Sequence, residues 1–183
     1  RLLCLVLVEH SHAAARTGAG GALTGLLGVG DRYAGTASMC GAHLEAIAHA
    51  DDPGAKARET VETLRAQKRP VPGFGHPIHR DNDPRVARLI GLCEELGAEG
   101  RYLAAMRELE AALKAVTGKD LVTNISAALA AAMAEAGVPS GMMRGIVLTA
   151  RCAGLVGHLF EEMNNPMAPA LWEGAQEPVS YEP

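Results

Sequence analysis

The sequence predicts an all-α protein, and three observations lead to this fold class. Aromatic residues make up only 3% of the 183 residues, while alanine and leucine dominate, a composition that favours closely packed helices over sheets. Apolar side chains recur with helical spacing along most of the chain. Two aspartate–proline pairs, Asp52-Pro53 and Asp83-Pro84, are typical of helix starts, because the aspartate caps the first turn and the proline fits its first position.

The predicted helices follow one another with short interruptions, which are glycines and one Gly-Val-Pro turn. They cover residues 53–68, 84–96, 103–117, 124–135 and 140–164. Beyond Asn164 three prolines predict an irregular tail that wraps the surface. The single candidate for a strand is the apolar run Leu2–Val8.

Composition and charge disfavour several classes of function. A net charge of −4 with mixed signs leaves no basic footprint for nucleic acid. The run Leu2–Val8 is too short to span a membrane and lacks the basic flank of a signal peptide. Because this run follows Arg1 directly, we expect an N-terminally truncated fragment. The four cysteines are not paired as CxxC, so a disulfide or zinc site is disfavoured and a cytoplasmic location is expected.

Residues 72–85 are the most informative stretch, with the sequence Pro-Gly-Phe-Gly-His-Pro-Ile-His-Arg-Asp-Asn-Asp-Pro-Arg. The Gly-Phe-Gly turn presents His76, because glycine lets the backbone bend tightly and approach a ligand closely. Arg85 follows nine residues later. An imidazole and a guanidinium on a stiff loop suit an anionic, oxygen-rich substrate, although loops of this composition are also common as solvated connections.

The same stretch resembles the Gly-(Phe/Ile)-Gly-His…Asp-Pro-Arg signature of the citrate synthase superfamily. That superfamily includes citryl-CoA lyase and the C-terminal lyase domain of ATP-citrate lyase. Further stretches resemble the family in the correct order, so that the resemblance covers nearly the whole chain.

Two of these stretches lie near the start of the chain. Glu9-His10 looks like the family's Asp-His pair, whose histidine contacts citrate or oxaloacetate, and the resemblance gives His10 that role. By spacing alone, His10 and His12 could also be metal ligands on a strand, with no obvious third ligand. Gly30-Asp31-Arg32 matches the Gly-Asp-Arg of the Ile-Gly-Asp-Arg-Phe-Gly-Gly-Ala segment in ATP-citrate lyase. Tyr33 stands where citrate synthases carry a histidine that polarises the thioester and lyase-like members carry phenylalanine, which favours the cleavage branch.

Two more stretches lie in the C-terminal half. Asn124-Ile125-Ser126 is similar to the family's Asn-Val-Asp, which puts Ser126 at the position of the catalytic aspartate. A serine hydroxyl has no useful basicity near neutral pH without an activating partner. The segment around Arg151 resembles the family helix whose arginine binds a substrate carboxylate. His158 lies on the same helix, and we expect it to be a buried structural histidine.

The resemblance implies a citrate-synthase-like, two-lobed helical fold. Residues 1–35 and 139–183 would form the large lobe and residues 36–138 the small lobe, with the site in the cleft. It also implies an obligate homodimer. No metal and no tightly bound cofactor are implied, and a CoA thioester is expected as substrate.

The implied activity is the making or breaking of the C–C bond between acetyl-CoA and oxaloacetate, with citryl-CoA lyase as the preferred form. Two alternatives stay open. The absence of the aspartate, together with Tyr33, also suits a non-catalytic paralogue that binds citrate or acyl-CoA. A purely structural helical module would require the ordered motifs to match by accident.

The resemblance also assigns roles to individual side chains. His10, Arg85 and Arg151 would bind the carboxylates and hydroxyl of the four-carbon unit. His76 would donate a hydrogen bond to the carbonyl or hydroxyl oxygen of the same unit, and Tyr33 could donate another. Arg80 could meet CoA phosphates, although an exposed arginine is usually only solvated.

Overall fold

A computed structural model describes residues 19–175, except for the side chains of 19, 20, 31–33, 172 and 175. The helices of this part of the chain are α1 (Ala19–Ala34), α2 (Thr36–Ala48), α3 (Pro53–Ala66), α4 (Pro84–Glu95), α5 (Arg101–Thr117), α6 (Ile125–Glu135), α7 (Ser140–Asn164) and α8 (Ala168–Ala175). The only extended pairing described is an isolated antiparallel bridge between Phe74 and Thr123. The prediction of an all-α protein is confirmed. No helix between residues 19 and 175 combines the length and the apolar character that crossing a membrane requires.

The chain divides into two compact units. Of the described residues, 19–30 and 148–175 belong to one unit, and Asp31–Val147 is the other. Helices α1 and α7 each contribute residues to both units. Within α1 the backbone leaves helical geometry at Gly30, which has a φ of 57°. The lobe boundaries given by the family resemblance stay a prediction.

The unit Asp31–Val147 is built around α5, which packs against α2, α3 and α6, while α4 packs on α6. Leu44, Ile47 and Leu109 are completely buried at its centre. Helix α6 contributes a series of buried alanines, whose small side chains allow neighbouring helices to approach closely. In α5 the apolar side chains that recur at helical spacing, Leu103, Met106, Leu109 and Leu113, belong to the core.

Both aspartate–proline pairs begin helices, as predicted. Asp52 caps α3 by accepting a hydrogen bond from the Ala55 N–H at 2.9 Å. Asp83 caps α4 by accepting one from the Arg85 N–H at 3.2 Å. Helix α3 ends at Ala66, two residues before its predicted end at Lys68.

Two other helices are capped by carboxylates that are distant in the sequence. Glu45 of α2 accepts hydrogen bonds from both the N–H and the Oγ–H of Ser140, each at 2.8 Å, at the start of α7. Glu135 accepts three backbone N–H groups at the start of α5, those of Gly100, Tyr102 and Leu103. These contacts satisfy donors that a helix start leaves without an intrahelical partner.

Two predictions for the C-terminal part are wrong. The tail is helical over Ala168–Ala175, because the Glu162 carboxylate accepts hydrogen bonds from the N–H groups of Met167 and Ala168 and caps this turn. His158 is not buried, since its side chain is 57% exposed, with Nδ1 3.7 Å from Glu161. The buried side chains of this stretch are Leu155 and Leu159, which pack against α1.

Candidate active site

The Gly-Phe-Gly turn has a backbone that only glycine accommodates readily. Gly73 and Gly75 have φ values of 93° and 84°, in the region where a Cβ is disfavoured. A Cβ on Gly73 would also lie 2.7 Å from the Cβ of Ala127 and 3.1 Å from the Sγ of Cys40. The turn therefore rests directly on α6 and α2. Cys40 is no nucleophile there, because burial raises the pKa of its thiol to about 12.

The turn is held to the segment that precedes α6. The Gly75 N–H donates to the Val122 carbonyl at 2.7 Å, and the Asn124 N–H donates to the Gly73 carbonyl at 2.9 Å. The Asn124 side chain adds a third bond, from Nδ2 to the Gly75 carbonyl at 2.8 Å. Two motifs that are about fifty residues apart in sequence are thus fixed side by side.

His76 is locked in one orientation by the backbone that follows it. Its Nδ1 accepts hydrogen bonds from the N–H groups of Ile78 and His79, both at 3.0 Å. A nitrogen that accepts carries no proton, so the neutral ring must carry its proton on Nε2. The half-buried imidazole therefore offers an N–H donor at Nε2.

A second imidazole lies against the first. The ring centroids of His76 and His79 are 4.6 Å apart, and the planes are inclined by 44°. His79 is also half-buried. The sequence motif assigns no role to His79.

Asp83 is the anchor of the site. Its buried carboxylate accepts bonds from Arg85 Nε and Nη2, both at 2.8 Å, and from the N–H groups of Arg85 and Ile125. The side-chain bonds from Arg85 are the main reason why the pKa of Asp83 is well below its usual range. One carboxylate thus fixes the Arg85 guanidinium and the first turn of α6 together. The sequence indicated Asp83 only as a helix cap.

Arg85 can still meet a ligand while it is held by Asp83. Its side chain is 49% exposed, and its Nη1 forms no hydrogen bond with the side chains and backbone groups that are described. The bidentate contact with Asp83 raises the pKa of Arg85 and fixes the plane of its guanidinium. This geometry suits the predicted capture of a substrate carboxylate.

Ser126 lies in the first turn of α6, beside these groups. Its N–H donates to Oδ1 of Asn124 at 2.9 Å, and its side chain is half-buried. The neighbouring N–H of Ile125 is the one bound by Asp83. No contact between the Ser126 hydroxyl and His76 or Arg85 is described, and the assignment of Ser126 to the position of the family's aspartate stays a prediction.

The histidines and Asp83 do not make a convincing metal site. Ligand atoms of His76, His79 and Asp83 lie within 4.8 Å of one another. However, each Asp83 oxygen already accepts two N–H groups, which uses its lone pairs, and the Arg85 guanidinium would repel a cation. We therefore assign no metal to this cluster.

The other predicted residues are exposed or lie outside the described part of the chain. Arg80 is exposed and lines a cleft of about 510 Å³ together with Arg107 and three carboxylates. Arg151 is exposed in the unit that contains residues 148–175. His10 lies outside the described residues, and the side chain of Tyr33 is likewise not described.

A second cleft, of about 330 Å³, lies behind the Gly-Phe-Gly turn. Phe74 and other apolar side chains form its floor, and four basic residues line it without an accompanying carboxylate: Arg65, Lys68, Arg69 and Lys119. An apolar floor with a cationic rim suits a ligand that has an aromatic ring and several phosphates. Sequence analysis did not identify these residues, because they come from two separate segments.

Lys68 has a backbone conformation that normally selects glycine. Helix α3 ends in paired bonds, from the Lys68 N–H to Arg65 and from the Arg69 N–H to Leu64, with Lys68 at φ 55°. The equivalent positions after α4 and α6 are Gly97 and Gly137. A lysine in this strained position, where glycine would fit better, makes the Lys68 side chain a candidate for a binding role.

Comparison with known proteins gives a consistent result. Residues 10–170 match the family model of the citrate synthase C-terminal domain. A Mycobacterium tuberculosis protein provisionally named citrate synthase 2 is 30% identical over 179 residues, which cover 93% of this chain and 45% of that relative. The chain thus spans a little under half the length of this relative.

Solved structures give the same fold. The chain is similar to citryl-CoA lyase from Hydrogenobacter thermophilus, with a TM-score of 0.74 and 26% identity over 93% of this chain and 69% of that one. The citrate synthase from Thermotoga maritima has a TM-score of 0.71 and 21% identity, covering 99% of this chain and 47% of that one. The predicted citrate-synthase-like helical fold is therefore confirmed.

Proposed function

The chain belongs to the citrate synthase family, and on this premise we propose that its protein makes or breaks the C–C bond between acetyl-CoA and oxaloacetate. Cleavage of citryl-CoA to these two products is the reaction that the site supports best. The observation that carries the proposal is the meeting of the His76 turn, the Asp83–Arg85 pair and the start of α6.

The proposed roles follow from the hydrogen-bonding capacity of each group. Arg85, preorganised by Asp83, binds a carboxylate of the four-carbon unit, and Arg151 and His10 bind its other polar groups. His76 donates from Nε2 to the oxygen that is a hydroxyl in citryl-CoA and a carbonyl in oxaloacetate. A fixed donor of this kind stabilises charge that develops on the oxygen when the bond breaks.

The absence of a carboxylate at position 126 affects both directions of the reaction. Synthesis removes a proton from the α-carbon of the thioester, and cleavage returns a proton to the same carbon through the same enolate. The hydroxyl of Ser126 is a poor acid–base group for this transfer, so another residue must exchange the proton.

We propose that the cleft behind Phe74 takes the nucleotide part of CoA. Its four cationic side chains face no acidic residue in the lining, whereas the cleft beside Arg80 combines two cations with three carboxylates. Electrostatic attraction for a polyphosphate is therefore greater behind Phe74. Arg80 stays a candidate for the phosphates on the other side of the loop.

We predict that Lys68→Gly raises stability and weakens CoA binding. Removal of the left-handed strain should add about 0.5–1 kcal/mol to the free energy of unfolding, and loss of an exposed phosphate contact should raise the Kd for CoA by about 2–5-fold. Urea unfolding and calorimetry measure the two effects. Lys68→Arg is the matched control, since it keeps both the strain and the charge. An unchanged Kd in the glycine variant would exclude Lys68 from the CoA site.

The function is tested by incubating the purified protein with citryl-CoA and detecting acetyl-CoA by mass spectrometry. We predict that His76→Asn lowers kcat by about 10²-fold or more, because the Nε2 donor is lost, while Tm changes little. His49→Asn is the control, since His49 is exposed at the end of α2. A sharp fall in Tm with normal activity per folded molecule would make His76 a structural residue.

A non-catalytic protein that binds citrate or acyl-CoA is the second candidate, and Ser126 is the observation that favours it. Such a protein would bind citrate through Arg85 and CoA through the basic cleft without producing acetyl-CoA. Calorimetric binding together with a blank cleavage assay would establish this alternative.

We also propose a cytoplasmic homodimer. Val156, Phe160 and Met163 recur at helical spacing on α7, and Leu23 and Leu27 on α1, and all five are largely exposed. An apolar surface of this kind is typical of a face that a partner covers. The proposed partner is a second copy, as the family resemblance implies.

A further inference from the structure

We propose that His79 is the proton acceptor of this site. This inference rests on the proposed function, because it names the base for the proton that leaves the citryl hydroxyl. It deepens that function by giving His76 and His79 different tasks, which the sequence alone does not distinguish.

The first argument is that the other groups cannot accept the proton. The Asp83 carboxylate receives four N–H groups from Arg85 and Ile125, and its oxygens have no lone pair left for a substrate. Its low pKa also makes it a poor base. The Ser126 hydroxyl lacks basicity. Of the described groups that meet at this turn, the imidazoles are therefore the remaining candidates for the acceptor.

The second argument separates the two imidazoles. Nδ1 of His76 is occupied by two backbone donors, so this ring is held as a donor at Nε2. Neither ring nitrogen of His79 forms a hydrogen bond to any backbone group or side chain that the structure describes. The backbone N–H of His79 donates to Nδ1 of His76. The imidazole ring of His79 keeps a lone pair that can accept a proton.

The third argument is distance. A ring nitrogen of His79 lies within 4.8 Å of ligand atoms of both His76 and Asp83. Asp83 in turn holds Arg85 and the Ile125 N–H. A substrate whose carboxylate meets Arg85 and whose hydroxyl oxygen meets His76 thus brings the hydroxyl proton within reach of His79. Imidazole is also the side chain that gains and loses a proton in the neutral range.

The step is balanced without another reactant. His79 takes the hydroxyl proton, the oxygen electrons form the carbonyl of oxaloacetate, and the C–C bond breaks. The electron pair of that bond stays with the thioester fragment, which becomes an enolate. His76 does not protonate this enolate. The imidazolium of His79 returns the proton to the enolate carbon, so that acetyl-CoA is released and His79 is neutral again.

The test compares His79→Gln and His79→Ala with the wild type in citryl-CoA cleavage. We expect kcat to fall by about 10²–10⁴-fold in both, while KM stays within about threefold. Added imidazole should restore activity to His79→Ala, and substituted imidazoles should rescue in order of basicity, which a structural role would not produce. His49→Gln serves as the control for loss of a histidine.

Each outcome decides a separate point. Normal kcat in a folded His79→Gln variant, or reduced kcat that imidazole does not rescue in His79→Ala, would overturn the role of His79 and leave the proposed function intact. Absence of cleavage by the wild type would overturn the proposed function and this inference with it. If His79→Ala does not fold, the glutamine variant, which keeps a side chain of similar length, still decides.

Discussion

Asp83→Asn is expected to lower the free energy of unfolding by about 2–4 kcal/mol, because a buried charge pair is broken and one amide N–H₂ must face an N–H donor. The amide can no longer accept all four bonds that the carboxylate receives from Arg85 and Ile125. The Arg85 guanidinium loses its fixed plane, so the Kd for citrate should rise by about 10-fold or more. Urea unfolding and calorimetry measure the two changes.

Asp81→Asn is the matched control for this substitution. Asp81 is exposed in the same loop, two residues before Asp83, and forms none of the contacts described for the anchor. Its replacement should leave both quantities nearly unchanged. If Asp83→Asn behaved like Asp81→Asn, the contact between Asp83 and Arg85 would contribute little to the site.

The pH dependence of stability should reveal the same carboxylate. Hydrogen bonds from Arg85 hold the pKa of Asp83 below its reference value of 3.8, so its contribution to stability is complete above that value. It is lost as the pH falls through the lower pKa of the folded state, because the unfolded state then binds the proton more readily. The wild type should therefore lose stability below about pH 4 more steeply than Asp83→Asn.

The helices could be predicted largely from local sequence. Asp52 and Asp83 give the starts of α3 and α4, because a capping aspartate acts within its own first turn. The start of α5 could not be explained in this way, since its cap is Glu135, more than thirty residues away. Helix α8 was missed because its capping Glu162 lies in the preceding helix and the prolines of the tail dominated the pattern.

The residues of the candidate site can be read from the sequence more readily than the hydrogen bonds between them. The motifs around His76, Arg85 and Ser126 can be read from sequence, but the bond from Ile125 to Asp83 that joins them depends on folding. The tautomer of His76 depends on two backbone donors and not on the residue type. Lys68 could have been noticed, since a lysine follows the end of α3 where glycine is usual.

Ser126→Asp is expected to increase condensation of acetyl-CoA with oxaloacetate by about 10²-fold, toward the lower end of what a positioned acid–base group contributes. The lower end is expected because His79 already supplies part of the proton transfer in our proposal. The new carboxylate would lie in the first turn of α6, where the helix dipole stabilises negative charge. Spectrophotometric release of free CoA measures the condensation rate.

Ser126→Asn controls for side-chain size, and it should give no gain, because an amide cannot accept the α-proton of a thioester. The double variant His79→Gln with Ser126→Asp provides a second comparison, in which the new carboxylate should recover condensation that the glutamine alone does not support. A gain limited to the aspartate variants would identify a site that has lost or redirected its base on an intact scaffold. No gain, with citrate still bound, would favour the binding protein. A folded protein that shows neither citrate binding nor turnover would contradict the proposed function as a whole, because the carboxylate-binding groups would then have no ligand.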